Sequence, residues 1–79
     1  MTNVHIPKAG MSTVEVDITA VLVQPGDRVE VGQSLIEVES EKATFEIEAA
    51  VRGVVGEVRV GVGDVCEVGD VVVVIDETA

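Results

Sequence analysis

Apolar and polar residues alternate with a period of two along most of this chain. In VEVDITAVLV, Val14, Val16, Ile18, Ala20 and Leu22 fall on one side of an extended backbone, with Glu15, Asp17 and Thr19 on the other. In ATFEIEA, Ala43, Phe45, Ile47 and Ala49 alternate with Thr44, Glu46 and Glu48. This is the pattern of strands with one face buried and one in water. No stretch of useful length carries the 3.6-residue period of a helix. Turn signals separate the strands: Pro25-Gly26-Asp27, Gly32-Gln33, Gly53, Gly63-Asp64 and Gly69-Asp70. Pro25 presets the φ of the second residue of a turn, and Gly26 accepts the positive φ that a type II turn needs next.

The pattern repeats. VLVQPGDRVEVGQSLIEVE (21 to 39) aligns with VRVGVGDVCEVGDVVVVID (58 to 76) at an offset of 37. Gly26-Asp27 falls on Gly63-Asp64, Glu30-Val31-Gly32 on Glu67-Val68-Gly69, and Val38 on Ile75. Two similar four-strand halves follow. Neither half alone covers its apolar face, so the halves are expected to pack as two sheets. The predicted fold is all-β: residues 1–79 form one domain, a flattened barrel or sandwich of two four-stranded antiparallel sheets with an internal pseudo-two-fold repeat. Under the same offset Lys42 falls on Ala79, which predicts that the lysine and the chain end lie at opposite ends of the domain.

Composition narrows the possibilities. A chain of 79 residues builds a modest core. It has one cysteine, so no internal disulfide, and no Cys/His spacing of a zinc site. Packing must hold it, and the 47% hydrophobic content is mostly valine, a strand former; Phe45 is the one aromatic residue. A net charge of −10 opposes binding to phosphate backbones and keeps a valine-rich module soluble and monomeric. There is no apolar run of membrane-spanning length and no secretory signal, and a lone thiol suits a reducing compartment. The expected location is the cytoplasm, with neither nucleic acid nor membrane as partner.

Against this acidic background Lys42, one of two lysines, stands at the predicted turn between two strands, in ESEKATFEIEA. Three readings are open: a solvated surface charge, a catalytic lysine, or a site of covalent modification. A Schiff-base or general-base lysine needs a lowered pKa. Glu39, Glu41, Glu46 and Glu48 instead favour the ammonium form. A hairpin tip does offer its amine to a modifying enzyme at little conformational cost.

The order of motifs decides further. Gly26-Asp27, Gly32 and Leu35 precede Val38-Glu39-Ser40-Glu41-Lys42-Ala43; Gly53, Gly56, Gly63-Asp64 and Gly69 follow; PKAGMS (7 to 12) opens the chain. From about Val4 to Ile75 this resembles the lipoyl domain family of 2-oxo acid dehydrogenase complexes. Glu41 stands where that family usually has Asp; the charge is kept, with the carboxylate one methylene further out. Biotinyl carrier domains share the fold and place a lysine at the same tip, but between two methionines, which Glu41 and Ala43 do not match. The alternatives to a lipoyl carrier are therefore a biotin carrier and an unmodified interaction domain.

The resemblance implies a non-catalytic, swinging-arm acyl carrier with lipoic acid in amide linkage to Lys42. Glu41 and Ala43 would be read by the lipoylating enzyme, and Lys8, Ala9, Gly10, Met11, Ser12 and Thr13 would form a recognition loop for the decarboxylase. It further implies reductive acylation by a 2-oxo acid decarboxylase component (pyruvate first), transfer to coenzyme A at an acyltransferase domain, and reoxidation by dihydrolipoyl dehydrogenase. The parent chain would be an acyltransferase or a dihydrolipoyl dehydrogenase.

The remaining candidates read as structural. Cys66 aligns with Val29 and is expected in the core. His5 is expected at the surface, and Met11 as a packing residue. GVGDVC begins like a dinucleotide fingerprint, but Cys66 holds the third glycine position and no helix follows. Glu37, Glu39, Glu46 and Glu48 form a solvated acidic strand face that would also steer docking onto basic rims.

Overall fold

Every regular element among the described residues is a strand, as period-two patterning requires. The computed structural model describes residues 1–7, 15–41 and 43–78. In chain order the strands are β1 (Thr2–His5), β2 (Glu15–Val21), β3 (Arg28–Val29), β4 (Ser34–Glu39), β5 (Thr44–Glu48), β6 (Gly53–Val58), β7 (Val65–Glu67) and β8 (Val71–Asp76). They form two four-stranded antiparallel sheets, β1-β8-β6-β3 and β5-β4-β2-β7.

The 37-residue repeat is a repeat of hydrogen bonds. Four turns share one construction, at Gln24–Asp27, Glu30–Gln33, Gly61–Asp64 and Glu67–Asp70. In each, the fourth N–H donates to the first C=O at 3.0 Å. The fourth side chain accepts from the first N–H at 2.8 to 3.1 Å. The third residue is glycine, with φ between +86° and +97°. A β-carbon is costly there, which is why glycine punctuates both halves at the same spacing. Longer bonds repeat too. Gly26 N–H donates to Val55 O (2.7 Å) and Gly63 N–H to Ile18 O (2.9 Å), the same bond seen from each half.

The halves do not, however, each make a sheet. β3 leaves its own half to pair with β6, Arg28 opposite Val54 and Val29 opposite Gly53. β7 does the converse on β2, Cys66 opposite Val16. β1 on β8 and β5 on β4 cross between the halves as well, so each sheet takes two strands from each half. The cause is local: β3 lies between two tight turns six residues apart, too close for a return to its own sheet, and Val29 and Cys66 are drawn into the shared core, 0% and 5% exposed.

A second departure concerns β2. Val16 and Ile18 are buried as expected, but Ala20 is half-buried and Leu22 is 49% exposed, while Val23 is buried. The register with β4 shifts between Ile18 and Ala20. An extra residue at such a bulge reverses which side chains face inward. β6 has the equivalent shift between Val55 and Glu57. Val14 lies outside the described residues. Gly53, expected in a turn, instead opens β6 and is buried, because the backbone of Asp76 crosses it closely.

The core lies between the sheets, with Leu35, Ile36, Val38, Val72, Val73 and Ile75 all at 0% exposure. Each such side chain contributes about 1.5–3 kcal/mol of burial free energy. No buried side-chain polar atom among the described residues lacks a hydrogen-bond partner.

The strand ends fix the poles of the molecule, whose extents are 36 × 22 × 17 Å. β6 begins beside the end of β8, Val54 opposite Asp76. It ends in the turn whose Gly63 bonds Ile18, next to Asp17, which faces Glu39 at the end of β4. The end of β4 and the end of β8 therefore lie at opposite poles. Lys42 and Ala79, for which opposition was expected, are outside the described residues.

The glycines give a graded test. A β-carbon on Gly53 would stand 2.5 Å from Asp76 O and 2.8 Å from Glu77 Cα, whereas one on Gly26 meets nothing within 4 Å. Gly26→Ala should cost about 1–2 kcal/mol, from its left-handed backbone alone. Gly53→Ala should cost more, through displacement of β8, as read from urea midpoints at constant m.

Candidate functional site

β4 and β5 form a hairpin whose base is anchored in the core by Leu35, Ile36, Val38 and Ile47. The last pair is Glu39 opposite Thr44. Beyond it Ser40 N–H donates to Ala43 O at 2.7 Å. The Ser40 hydroxyl donates to the same carbonyl (3.0 Å) and accepts from Ala43 N–H (3.2 Å). The turn is thus closed by backbone and side chain together. Ser40 is 8% exposed, whereas Glu41 and Ala43 are exposed. Position 42 falls between those two; Lys42 itself lies outside the described residues, as do Lys8, Ala9, Gly10, Met11, Ser12 and Thr13.

The described residues that flank 8–14 have defined places. Ile6 exchanges hydrogen bonds with the turn of residues 67–70, donating to Asp70 O and accepting from Gly69 N–H, both at 2.9 Å. On the other side Glu15 pairs with Glu67. Glu15 also lines a cleft with Asp17, Glu39, Ser40, Glu41 and Val65. Glu15, the first described residue after that segment, therefore lies beside the β4–β5 hairpin. Glu15, Asp17 and Val65 come into this neighbourhood through β2 and β7, and nothing in their sequence positions announced it. Ser40 was legible in principle, since serine in a short turn competes for backbone partners.

Charge is partitioned between the sheets. Glu37, Glu39, Glu46 and Glu48 lie on the outer side of β4 and β5, with Glu37 half-buried and the others exposed. Thr19 Oγ1 donates to Glu37 Oε1 (3.0 Å) and Ser34 Oγ to Glu46 Oε1 (3.0 Å). No strand of that sheet holds an arginine or lysine among the described residues, while Arg28, Arg52 and Arg59 lie in or beside β3 and β6 of the other sheet.

Of the other candidates, His5, Cys66 and GVGDVC fall among the described residues and Met11 does not. His5 is exposed at the end of β1. GVGDVC is a turn running into β7. No group of three or more His, Cys, Asp or Glu among the described residues is arranged to hold a metal. Cys66 is buried, and burial first, then the Asp70 and Asp64 carboxylates, push its thiol pKa up.

The chain matches, over residues 2–75, the biotin/lipoyl family described as "Biotin-requiring enzyme". It belongs to the biotin/lipoyl attachment domain family. Lipoyl domains of this family carry lipoic acid on a lysine. Among curated relatives, the dihydrolipoyllysine-residue succinyltransferase component of the 2-oxoglutarate dehydrogenase complex of Bacillus subtilis is 38% identical over 79 residues, covering 100% of this chain and 19% of that protein. The dihydrolipoyllysine-residue acetyltransferase component of the pyruvate dehydrogenase complex of Pseudomonas aeruginosa is 40% identical over 67 residues, 85% of this chain and 12% of that protein. The chain thus spans a fifth or less of the length of these relatives. The solution structure of the lipoyl domain of the Azotobacter vinelandii 2-oxoglutarate dehydrogenase complex has the same fold, with a TM-score of 0.72 at 21% identity, over 94% of this chain and 96% of that one.

The raised thiol pKa has a signed consequence. The folded attachment domain keeps Cys66 protonated at a pH where the unfolded chain has begun to ionise. The resulting stability is complete below the unfolded thiol pKa and is lost as pH rises through the folded one. Cys66→Val should flatten the alkaline limb of a stability–pH curve, and a thiol reagent at pH 8 should label wild type at least about tenfold faster in denaturant than in buffer.

Proposed function

We propose that this domain is a lipoyl carrier of a 2-oxo acid dehydrogenase complex, modified at Lys42. The observation that carries the reading is the closed hairpin turn bracketing position 42, with its exposed flanks Glu41 and Ala43, in a family whose lipoyl domains hold their group on a lysine. An exposed turn fits a tethered group, which needs freedom to swing and no enclosing cavity. When attached, the lipoyl dithiolane supplies acyl and electron acceptance, which the protein itself lacks.

The chain's own residues present and address the site. Ser40 and Ala43 close the turn, and Glu41 and Ala43 are the neighbours a lipoylating enzyme reads. An amide at Lys42 Nζ replaces the ammonium, so the arm brings no positive charge into a partner's active site. The acidic outer face of β4 and β5 favours approach to basic rims of the decarboxylase component and of the acyltransferase domain. Residues 8–13, which precede Glu15 beside the hairpin by one residue in the sequence, are the proposed contact for the decarboxylase, and dihydrolipoyl dehydrogenase completes the cycle.

Both acetyl- and succinyltransferase components are similar to this chain, which supports an acyltransferase component as the parent chain. Pyruvate is the proposed 2-oxo acid, and 2-oxoglutarate, supported by the Bacillus subtilis match that spans all of this chain, is the second reading. We place the domain in the cytoplasm.

Intact mass after co-expression with a lipoylating or a biotinylating enzyme tests the proposal. Wild type should gain one lipoyl increment and no biotin increment, and Lys42→Arg should gain neither. A biotin increment, or none, overturns the reading. Lys42→Arg should change unfolding free energy by no more than about 0.5 kcal/mol, as for an exposed position. Reductive acylation of the lipoylated domain by the pyruvate-specific decarboxylase, but not the 2-oxoglutarate-specific one, is the expected outcome for substrate choice.

A further inference from the structure

The tip turn is built unlike the other four. In those, the fourth side chain reaches back to the first N–H and the third residue is glycine. At the tip the direction is reversed: the first residue, Ser40, reaches forward to the fourth, Ala43, and binds both its N–H and its C=O. The third residue there is Lys42, whose β-carbon removes the freedom that glycine gives elsewhere. Beside the backbone bond from Ser40 N–H to Ala43 O, the Ser40 hydroxyl adds the side-chain closure of this turn. Ser40 is also the one buried polar side chain among the described residues. The 37-residue repeat does not demand it: its counterpart at the other pole is Glu77, which is exposed and bonds Thr2 instead.

We infer that Ser40 is a positioning residue for modification of Lys42: its hydroxyl clamps Ala43 and holds the turn in the conformation a lipoylating enzyme binds. The inference rests on Lys42 being the acceptor. In the reaction itself the carboxyl carbon of an activated lipoyl ester forms an amide bond to Lys42 Nζ. The bond to its leaving group breaks, and the amine's proton is lost to base. Ser40 takes no part in those bonds. It acts earlier, on the fraction of molecules whose turn is already closed, and apparent affinity scales with that fraction.

The signature is therefore a change in KM without a matching change in kcat. Loss of this part-buried side-chain hydrogen-bond pair should lower the ratio of closed to open turns about five- to tenfold. For Ser40→Ala, KM for the domain in lipoylation should rise, by at most that factor, with kcat within about twofold of wild type and the same final lipoyl increment. Ser40→Thr, which keeps the hydroxyl, should restore KM. Hydrogen exchange should quicken at the Ala43 amide in Ser40→Ala and stay unchanged at core amides of β4 and β8.

A wild-type KM in Ser40→Ala, or a raised KM in Ser40→Thr, overturns the inference. If Ser40→Ala does not fold, Ser40→Cys decides beside Ser40→Thr. The thiol keeps the size but bonds weakly, so KM must rise in the first and not in the second. Failure of the underlying reading looks different: folded wild-type protein then acquires no lipoyl increment at all, or acquires one that survives Lys42→Arg.

Discussion

The exchange of β3 and β7 is the constraint on which the rest of the structure depends. Each is two or three residues long and pairs with a strand of the opposite half. The reciprocal bonds Gly26–Val55 and Gly63–Ile18 fasten the exchange from both sides. Val29 and Cys66, carried across on these short strands, fill equivalent places in the core. A chain this small, with valine as its main apolar residue, obtains a closed core by interleaving its halves.

That interleaving leaves the β4–β5 hairpin free to serve as a platform. Its base is pinned by buried side chains, and its tip lies at the pole away from Asp76. Between the rigid base and the exposed Glu41 and Ala43 stands Ser40, which converts a tolerant surface turn into a defined one. The described part of the site thus combines a stable scaffold with a closed turn whose flanks, Glu41 and Ala43, are exposed.

Much of this was legible in the sequence. Period-two alternation marked β2 and β5, because water on one face and core on the other leave a direct trace in composition, while the second half was read through the 37-residue repeat. The glycine turns were legible because residues at positive φ are chemically distinctive. The strand exchange was not, since strands of two and three residues are too short to show a period. The reversal at Leu22 was hidden for a related reason: a bulge inserts one residue and changes the facing of all that follow, with no compositional mark at Ile18 to Ala20. Lys42 stood out by its isolation among carboxylates, but its assignment came from family resemblance. The Ser40 clamp required coordinates, because serine two residues before a lysine is equally at home on any solvated loop.

The partition of charge has a consequence for copies held close together. β5 is a sheet edge, and open edges invite lateral pairing between molecules. Here the edge carries Glu46 and Glu48 on its outer side, on a sheet without described cations. Two such edges approaching one another meet mutual repulsion within a screening length of about 8 Å at physiological ionic strength. That repulsion opposes strand-to-strand pairing along β5 when copies are held at high local concentration.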